Sequence, residues 1–212
     1  ATNSGPAGEA RLRDLAKQAL AASWIDRADE AIQSLIGALE ARHASREEFI
    51  GALNTLALIR VRQERFEEAL QSAQDSLDRT RTSSCSNHEL ALAIYNVAFI
   101  QLQLQRWTEA AETASEAVPL EKDDRVLLAN IQKGQGEAQF KVGQNKAALN
   151  ALQEALRFFE GCDDASSFDK KISLHRSLAL VLERLRCFDN AIWHREWVLG
   201  IFRLRYGQLS TE

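Results

Sequence analysis

The chain has no methionine, only two prolines, three cysteines and no long apolar run, and each shortage excludes something. Two prolines, Pro6 and Pro119, and ten glycines are few breakers for 212 residues, which predicts helix throughout. Cys85, Cys162 and Cys187 are odd in number, far apart and without CxxC spacing. That argues against a disulfide framework or a paired-cysteine metal site and points to a reducing, cytoplasmic setting. No stretch approaches the roughly 18 apolar residues needed to span a bilayer, so membrane insertion is not expected. The start, ATNSGPAGEA, is neither basic nor apolar. A first residue other than methionine predicts a processed chain or a piece of a longer protein.

An excess of basic residues is also missing. Lys and Arg number 26 against 30 Asp and Glu, a net charge of −4 with the signs well mixed, so no footprint for nucleic acid is expected. Catalytic groupings are absent in the same way. His43, His88, His175 and His194 read as isolated, and there is no HExxH. His194 and Glu196 are two residues apart and cannot face together on a helix. Lys133-Gly-Gln-Gly136 lacks phosphate-loop spacing and lies inside a helical pattern, where its glycines permit close helix packing. The expectation is no enzyme activity, no catalytic residues, no metal and no cofactor.

What the chain does have is repetition. The phrase RFEEALQSAQDSL places Phe66, Ala69, Ala73 and Leu77 on one narrow helix face. It returns at Trp107 with Ala110, Ala114 and Ala117, and at Phe188 with Ala191, Ile192 and Val198, with weaker copies from Ala28 and Asn145. The small residues Ala31, Ala69, Ala110, Ala148 and Ala191 are spaced by about 38, 41, 38 and 43 residues, the period of a helical repeat.

Taken in order, residues 1–8 read as a disordered tail and 9–208 as a single helical repeat domain, in units of about 9–43, 45–82, 87–122, 124–161 and 168–208. Helical pattern starts near Glu9. Ser45-Arg-Glu-Glu48 is a capping-box phrase opening the second unit. Arg81–Asn87 and Cys162–Phe168 read as polar connectors. Within each unit the turn is short, which forces its two helices to run antiparallel.

These residues resemble the tetratricopeptide repeat (TPR) family over about residues 9–206. Small residues stand midway along each first helix (Ala19, Ala57, Ala98, Gly136, Ala179), aromatics open three second helices (Phe66, Trp107, Phe188), and Ala31, Ala38, Ala69, Ala110, Ala117, Ala148, Ala155 and Ala191 provide close packing. The period exceeds the family's usual 34 residues, and the closing proline is absent. The long period resembles the extended variants of bacterial signalling and regulatory proteins, kinesin light chain and cell-polarity adaptors. The resemblance implies an all-α, right-handed superhelical solenoid of about five antiparallel hairpins, acting as a protein- or peptide-binding scaffold or sensor module of a larger signalling or regulatory protein.

It further implies that the first helices line a concave groove. Carrying the family's groove-facing offsets onto this chain places Trp24, Asn54, Leu58, Arg62, Tyr95, Phe99, Gln103, Asn130, Lys133, Glu137, Lys141, Arg176, Leu180 and Arg184 there. The sites expected to hold a peptide are Asn54, Arg62, Tyr95, Phe99, Asn130, Lys133, Lys141, Arg176 and Arg184. The partner expected is a protein or peptide with an apolar anchor and an acidic group or free carboxylate.

The last helix breaks the pattern. Trp193 and Trp197 occupy sites that are polar or glycine in earlier units, and with Ile201 and Leu204 they form a stripe. Ala191, Ile192, Val198 and Leu199 read as the inward face, which leaves the tryptophans for a partner: a further helix, a second copy in a homodimer, or another protein. A structural oligomerisation module built on this stripe is the competing function.

Overall fold

A computed structural model describes residues 5–162 and 164–206, the side chains of 165 and 204–206 excepted. Among them are ten α-helices and no strand: α1 (Pro6–Ala21), α2 (Ile25–Ala41), α3 (Arg46–Arg62), α4 (Phe66–Arg81), α5 (Asn87–Gln103), α6 (Trp107–Ala117), α7 (Arg125–Lys141), α8 (Asn145–Glu160), α9 (Ala165–Arg184) and α10 (Phe188–Tyr206). Odd-numbered helices are the first helices of the repeats and even-numbered ones the second. This is the all-α, TPR-like architecture that the repeats predict.

The repeat is written most plainly in the turns. Ser23, Glu64, Gln105, Gly143 and Arg186, one between the helices of each unit, all take the left-handed conformation with φ of 60, 60, 58, 83 and 61°. The next residue's N–H then reaches back to the ending helix: Trp24 to the Ala19 carbonyl at 2.8 Å, Arg65 to Arg60 at 2.9, Arg106 to Gln101 at 2.9, Gln144 to Gln139 at 2.8 and Cys187 to Leu182 at 2.9. This is the Schellman closure, which satisfies carbonyls that a helix end leaves open. Only Gly143 adopts it without a Cβ penalty; the other four carry a cost of about 1 kcal/mol each. Five identical turns explain why the chain folds back after every first helix.

Four of the first helices, α3, α5, α7 and α9, start on side-chain caps. The Ser45 N–H donates to Glu48 Oε2 at 3.0 Å, and Ser86 both donates its N–H to Glu89 Oε2 at 2.8 Å and accepts the Glu89 N–H at 3.2 Å. Asp124 accepts the N–H groups of Val126 and Leu127 at 2.8 and 2.9 Å, and Asp164 accepts that of Ser167 at 2.9 Å. The Asp164 cap corrects one boundary: residues 165–168, expected in a connector, are the first turn of α9. At the other end Pro6, favoured at the first helical position, starts α1, so residues 6–8 belong to a helix rather than to the expected tail. Residues 1–4 lie outside the described residues.

The small residues do the packing expected of them. Ala19, Ala57, Ala98, Gly136 and Ala179 are buried, as are Ala31, Ala69, Ala110, Ala117, Ala148, Ala155 and Ala191; Ala38 is the exception, only half-buried. At Gly136 a Cβ would lie 2.6 Å from Leu152 Cγ, so α7 and α8 approach more closely than alanine allows.

The chain divides into two compact units between Arg106 and Trp107. In the first, Ile32, Leu35, Leu39, Leu53, Leu56 and Ile59 form one core, and the buried Glu9 carboxylate is held by Arg42 Nε at 2.7 Å and Nη2 at 3.0 Å. In the second, Leu152, Leu156 and Phe159 of α8 pack with Leu174, Leu178 and Val181 of α9. Among the described residues no helix is long and apolar enough to cross a membrane.

Candidate interaction surfaces

The left-handed turns give a common register for the first helices. Counted back from them, Asn54, Tyr95, Lys133 and Arg176 are equivalent; so, one helical turn on, are Leu58, Phe99, Glu137 and Leu180, and one further on Arg62, Gln103, Lys141 and Arg184.

In the first unit α3 and α5 touch. Leu58, Leu92 and Phe99 are exposed, and Phe99 lies 6.3 Å from the Tyr95 ring, tilted by 37°. Asn54 is half-buried with its Oδ1 buried and without a hydrogen-bond donor. Arg62 donates from Nη1 to the Leu20 carbonyl at 3.3 Å and is otherwise exposed. Trp24, exposed at the head of α2, carries the Arg27 guanidinium 5.3 Å from its ring centroid.

In the second unit α7 and α9 touch. Lys133 is tied to Glu137 at 2.8 Å, and Lys141 Nζ sits 5.4 Å from the Trp107 ring centroid. Asn130 is half-buried, while Arg176, Leu180 and Arg184 are exposed on α9. Of the expected cations, therefore, Lys133 and Lys141 already have partners, and Arg176 and Arg184 make no ion pair among the described residues.

The last helix departs from the sequence reading in two ways. Trp193 is exposed as expected, but Trp197 is half-buried, stacked on His175 with centroids 3.8 Å apart and planes 5° apart. Ile201 is half-buried, and the Leu204 side chain lies outside the described residues. Conversely, Ile192 and Leu199, expected inward, are exposed; only Ala191 and Val198 of that set are buried. The two histidines read as isolated are in contact: His175 Nδ1 and His194 Nδ1 are 2.8 Å apart. Burial first, and the adjacent His194 imidazole second, push the nearly inaccessible His175 down to about 4, and burial lowers His194 as well. This pair joins α9 to α10. It lies nineteen residues apart in sequence, and only the antiparallel hairpin brings it together.

Between these helices runs a groove of about 350 Å³. Ala179, Leu180, Val198, Leu199 and Phe202 line it with Arg176 and Arg195, and Arg195 is paired with Glu183 at 2.6 Å. No cluster of three or more metal-ligating side chains occurs among the described residues.

Residues 55–133 and 128–179 both match one family model, described as anaphase-promoting complex subunit 5. Together the matches span more than half of the chain. The chain belongs to this family. Its repeats are TPR-like. Solved structures agree on the fold. BtubC (BKLC) from P. vanneervenii is 16% identical, with 95% of this chain and 81% of that one covered and a TM-score of 0.76. The TPR-like repeats of a Podosopora anserina kinesin light chain are 15% identical, covering 93% and 97%, with a TM-score of 0.74. The apo form of RapI is 13% identical, covering 93% and 71%, with a TM-score of 0.81. A comparison with curated proteins finds no significant match.

Proposed function

We propose that this chain is a non-enzymatic scaffold or sensor module that binds a peptide or protein segment along its first helices, in the service of a larger signalling or regulatory protein. The observation that carries this reading is that one repeat position presents a large apolar side chain to solvent on three first helices: Leu58, Phe99 and Leu180, exposed by 45, 37 and 45%. A monomer has no packing reason to repeat such exposure in register. Around it stand Asn54, Tyr95 and Arg62 in the first unit, and Asn130, Arg176 and Arg184 in the second. Apolar anchors with nearby guanidinium groups suit a segment carrying an apolar residue and a carboxylate.

Lys133 and Lys141 contribute less to such a site than Arg176 and Arg184, because Glu137 and the Trp107 ring already hold them. The competing reading, self-association through Trp193, Trp197, Ile201 and Leu204, is weakened by the turning of Trp197 onto His175. The test is to select peptides on the immobilised chain and measure their affinity for Leu58→Asp and Phe99→Asp variants. Loss in both supports the site, and indifference in both removes it.

A further inference from the structure

The fifth hairpin carries a cluster that the other repeats do without. Counted from the left-handed turn residues, the positions of His175 and His194 are held in the three preceding repeats by Leu53 and Ser72, Ile94 and Thr113, and Gln132 and Ala151. Leu53 and Ile94 are buried, so an aliphatic side chain fills the His175 position well enough for the fold. The positions of Trp193 and Trp197 are polar and exposed in the earlier repeats, as at Gln71 and Asp75 or Glu112 and Glu116. All four departures meet in one place. Trp197 stacks on His175, the Trp193 ring stands edge-on to His194 with centroids 4.9 Å apart, and the two imidazoles touch. The solenoid itself has no need of a buried imidazole, which cannot take up its charge without loss.

The rings meet through nitrogen. His175 Nδ1 and His194 Nδ1 are 2.8 Å apart, with room for one proton between them. When both imidazoles carry their proton on Nε2, two Nδ1 lone pairs converge on the same point, and reaching that state from the hydrogen-bonded one needs only a tautomer change. Neutral imidazole is the commonest metal ligand. Bonds of 2.0–2.1 Å at a tetrahedral zinc ion set two nitrogens about 3.3 Å apart, so the pair has to open by roughly half an ångström. His194 is only half-buried and has that freedom, whereas His175 is 1% exposed and held under Trp197. The donor set also selects. Calcium and magnesium take oxygen ligands, whereas imidazole nitrogen suits zinc, nickel and copper. No third ligating side chain joins the pair among the described residues, which leaves the other positions to water arriving from the His194 side.

We infer that His175 and His194 form a two-histidine site for a late first-row transition-metal dication, which bridges α9 and α10 through the two Nδ1 atoms. An ion bound there ties the helices of the last hairpin together and stabilises the folded chain by mass action. None of the side chains assigned to the peptide-binding face takes part, so the two proposals stand or fall separately.

The probe is nickel(II) alone, titrated into the intact chain at slightly alkaline pH and followed by calorimetry and by tryptophan fluorescence, which a bound open-shell ion quenches at Trp193 and Trp197. Saturable binding of one ion per chain is expected, with quenching and a rise in the thermal midpoint. His194→Phe and, separately, His175→Phe each leave a single ligand; binding weakens roughly tenfold or more, and the rise in midpoint is lost. His194 is half-buried, so its variant decides the matter even where His175→Phe disturbs folding. His43→Ala combined with His88→Ala leaves the binding unchanged. Absence of saturable binding overturns the inference. So does binding that persists at wild-type strength in His194→Phe, or that disappears with His43 and His88.

Discussion

Trp197 lies flat on His175, ring centroids 3.8 Å apart and planes 5° apart, and the same imidazole meets His194 edge-on through an Nδ1 to Nδ1 approach of 2.8 Å. One ring nitrogen must donate and the other accept, so the arrangement suits neutral imidazoles; two imidazolium ions would bring two donors together. A histidine whose folded value lies below its ordinary one stabilises the fold above the unfolded value and loses that contribution as pH falls.

For His175 the window runs from 6.5 down to about 4, and the lowered His194 acts in the same direction. Denaturant midpoints should therefore hold steady above neutrality and fall through this window, by up to about 3 kcal/mol for the His175 contribution. His175→Phe, which keeps a ring beneath Trp197, should flatten the histidine-dependent part of the profile.

Gly136→Ala should destabilise the chain. Alanine is the better helix former by about 1 kcal/mol, but its Cβ would meet Leu152 Cγ at 2.6 Å and the Ala148 carbonyl oxygen at 3.1 Å in a packed core. Overpacking of this kind costs about 1–3 kcal/mol. Equilibrium unfolding should show a net loss, and Leu152→Ala combined with Gly136→Ala should lose less than the two single changes added together.

The left-handed turn residues make opposite predictions for opposite substitutions. Gly143→Ala forces a Cβ into a backbone with φ of 83° and should cost about 1 kcal/mol. Glu64→Gly removes that penalty at the equivalent turn; because glycine also loosens the unfolded chain, the net gain should be below about 1 kcal/mol. Thermal midpoints of the two variants should move in opposite directions.

Most of the fold was legible because close helix packing constrains residue type. Ala69, Ala110, Ala148 and Ala191 recur because nothing larger fits between the helices, and recurrence is visible in a sequence. The turns were harder. Only Gly143 announces a left-handed residue; Ser23, Glu64, Gln105 and Arg186 adopt the same conformation under the Schellman bonds, with no residue type to mark it. Ser86-Asn-His-Glu89 carried a capping signal as plain as that of Ser45-Arg-Glu-Glu48.

On α10 the family register misled. Ile192 and Leu199 read as inward because their counterparts Leu149 and Leu156 face a following first helix, and none follows α10 among the described residues. Trp197 read as surplus because its contact, His175, becomes apparent only once α9 and α10 are laid antiparallel. On the first helices the apolar members Leu58, Phe99 and Leu180 stand exposed as the register expects, whereas Lys133 and Lys141 find partners from their own helix or its neighbour.

With Trp197 occupied, Trp193 alone remains of the exposed tryptophan pair, and the chain should be monomeric. Light scattering across a dilution series should return a mass near 23.7 kDa throughout. A persistent doubling that Trp193→Glu abolishes would assign α10 to self-association.

The central claim is that the first helices form a peptide-binding face, and selection from a displayed random peptide library on the immobilised chain tests it most directly. The account predicts enriched peptides that pair an apolar residue with a carboxylate, whose affinity falls with salt as exposed ion pairs are screened and is lost in Leu58→Asp and Phe99→Asp. An unenriched library, or enriched peptides that bind both variants as tightly as the wild type, would contradict it.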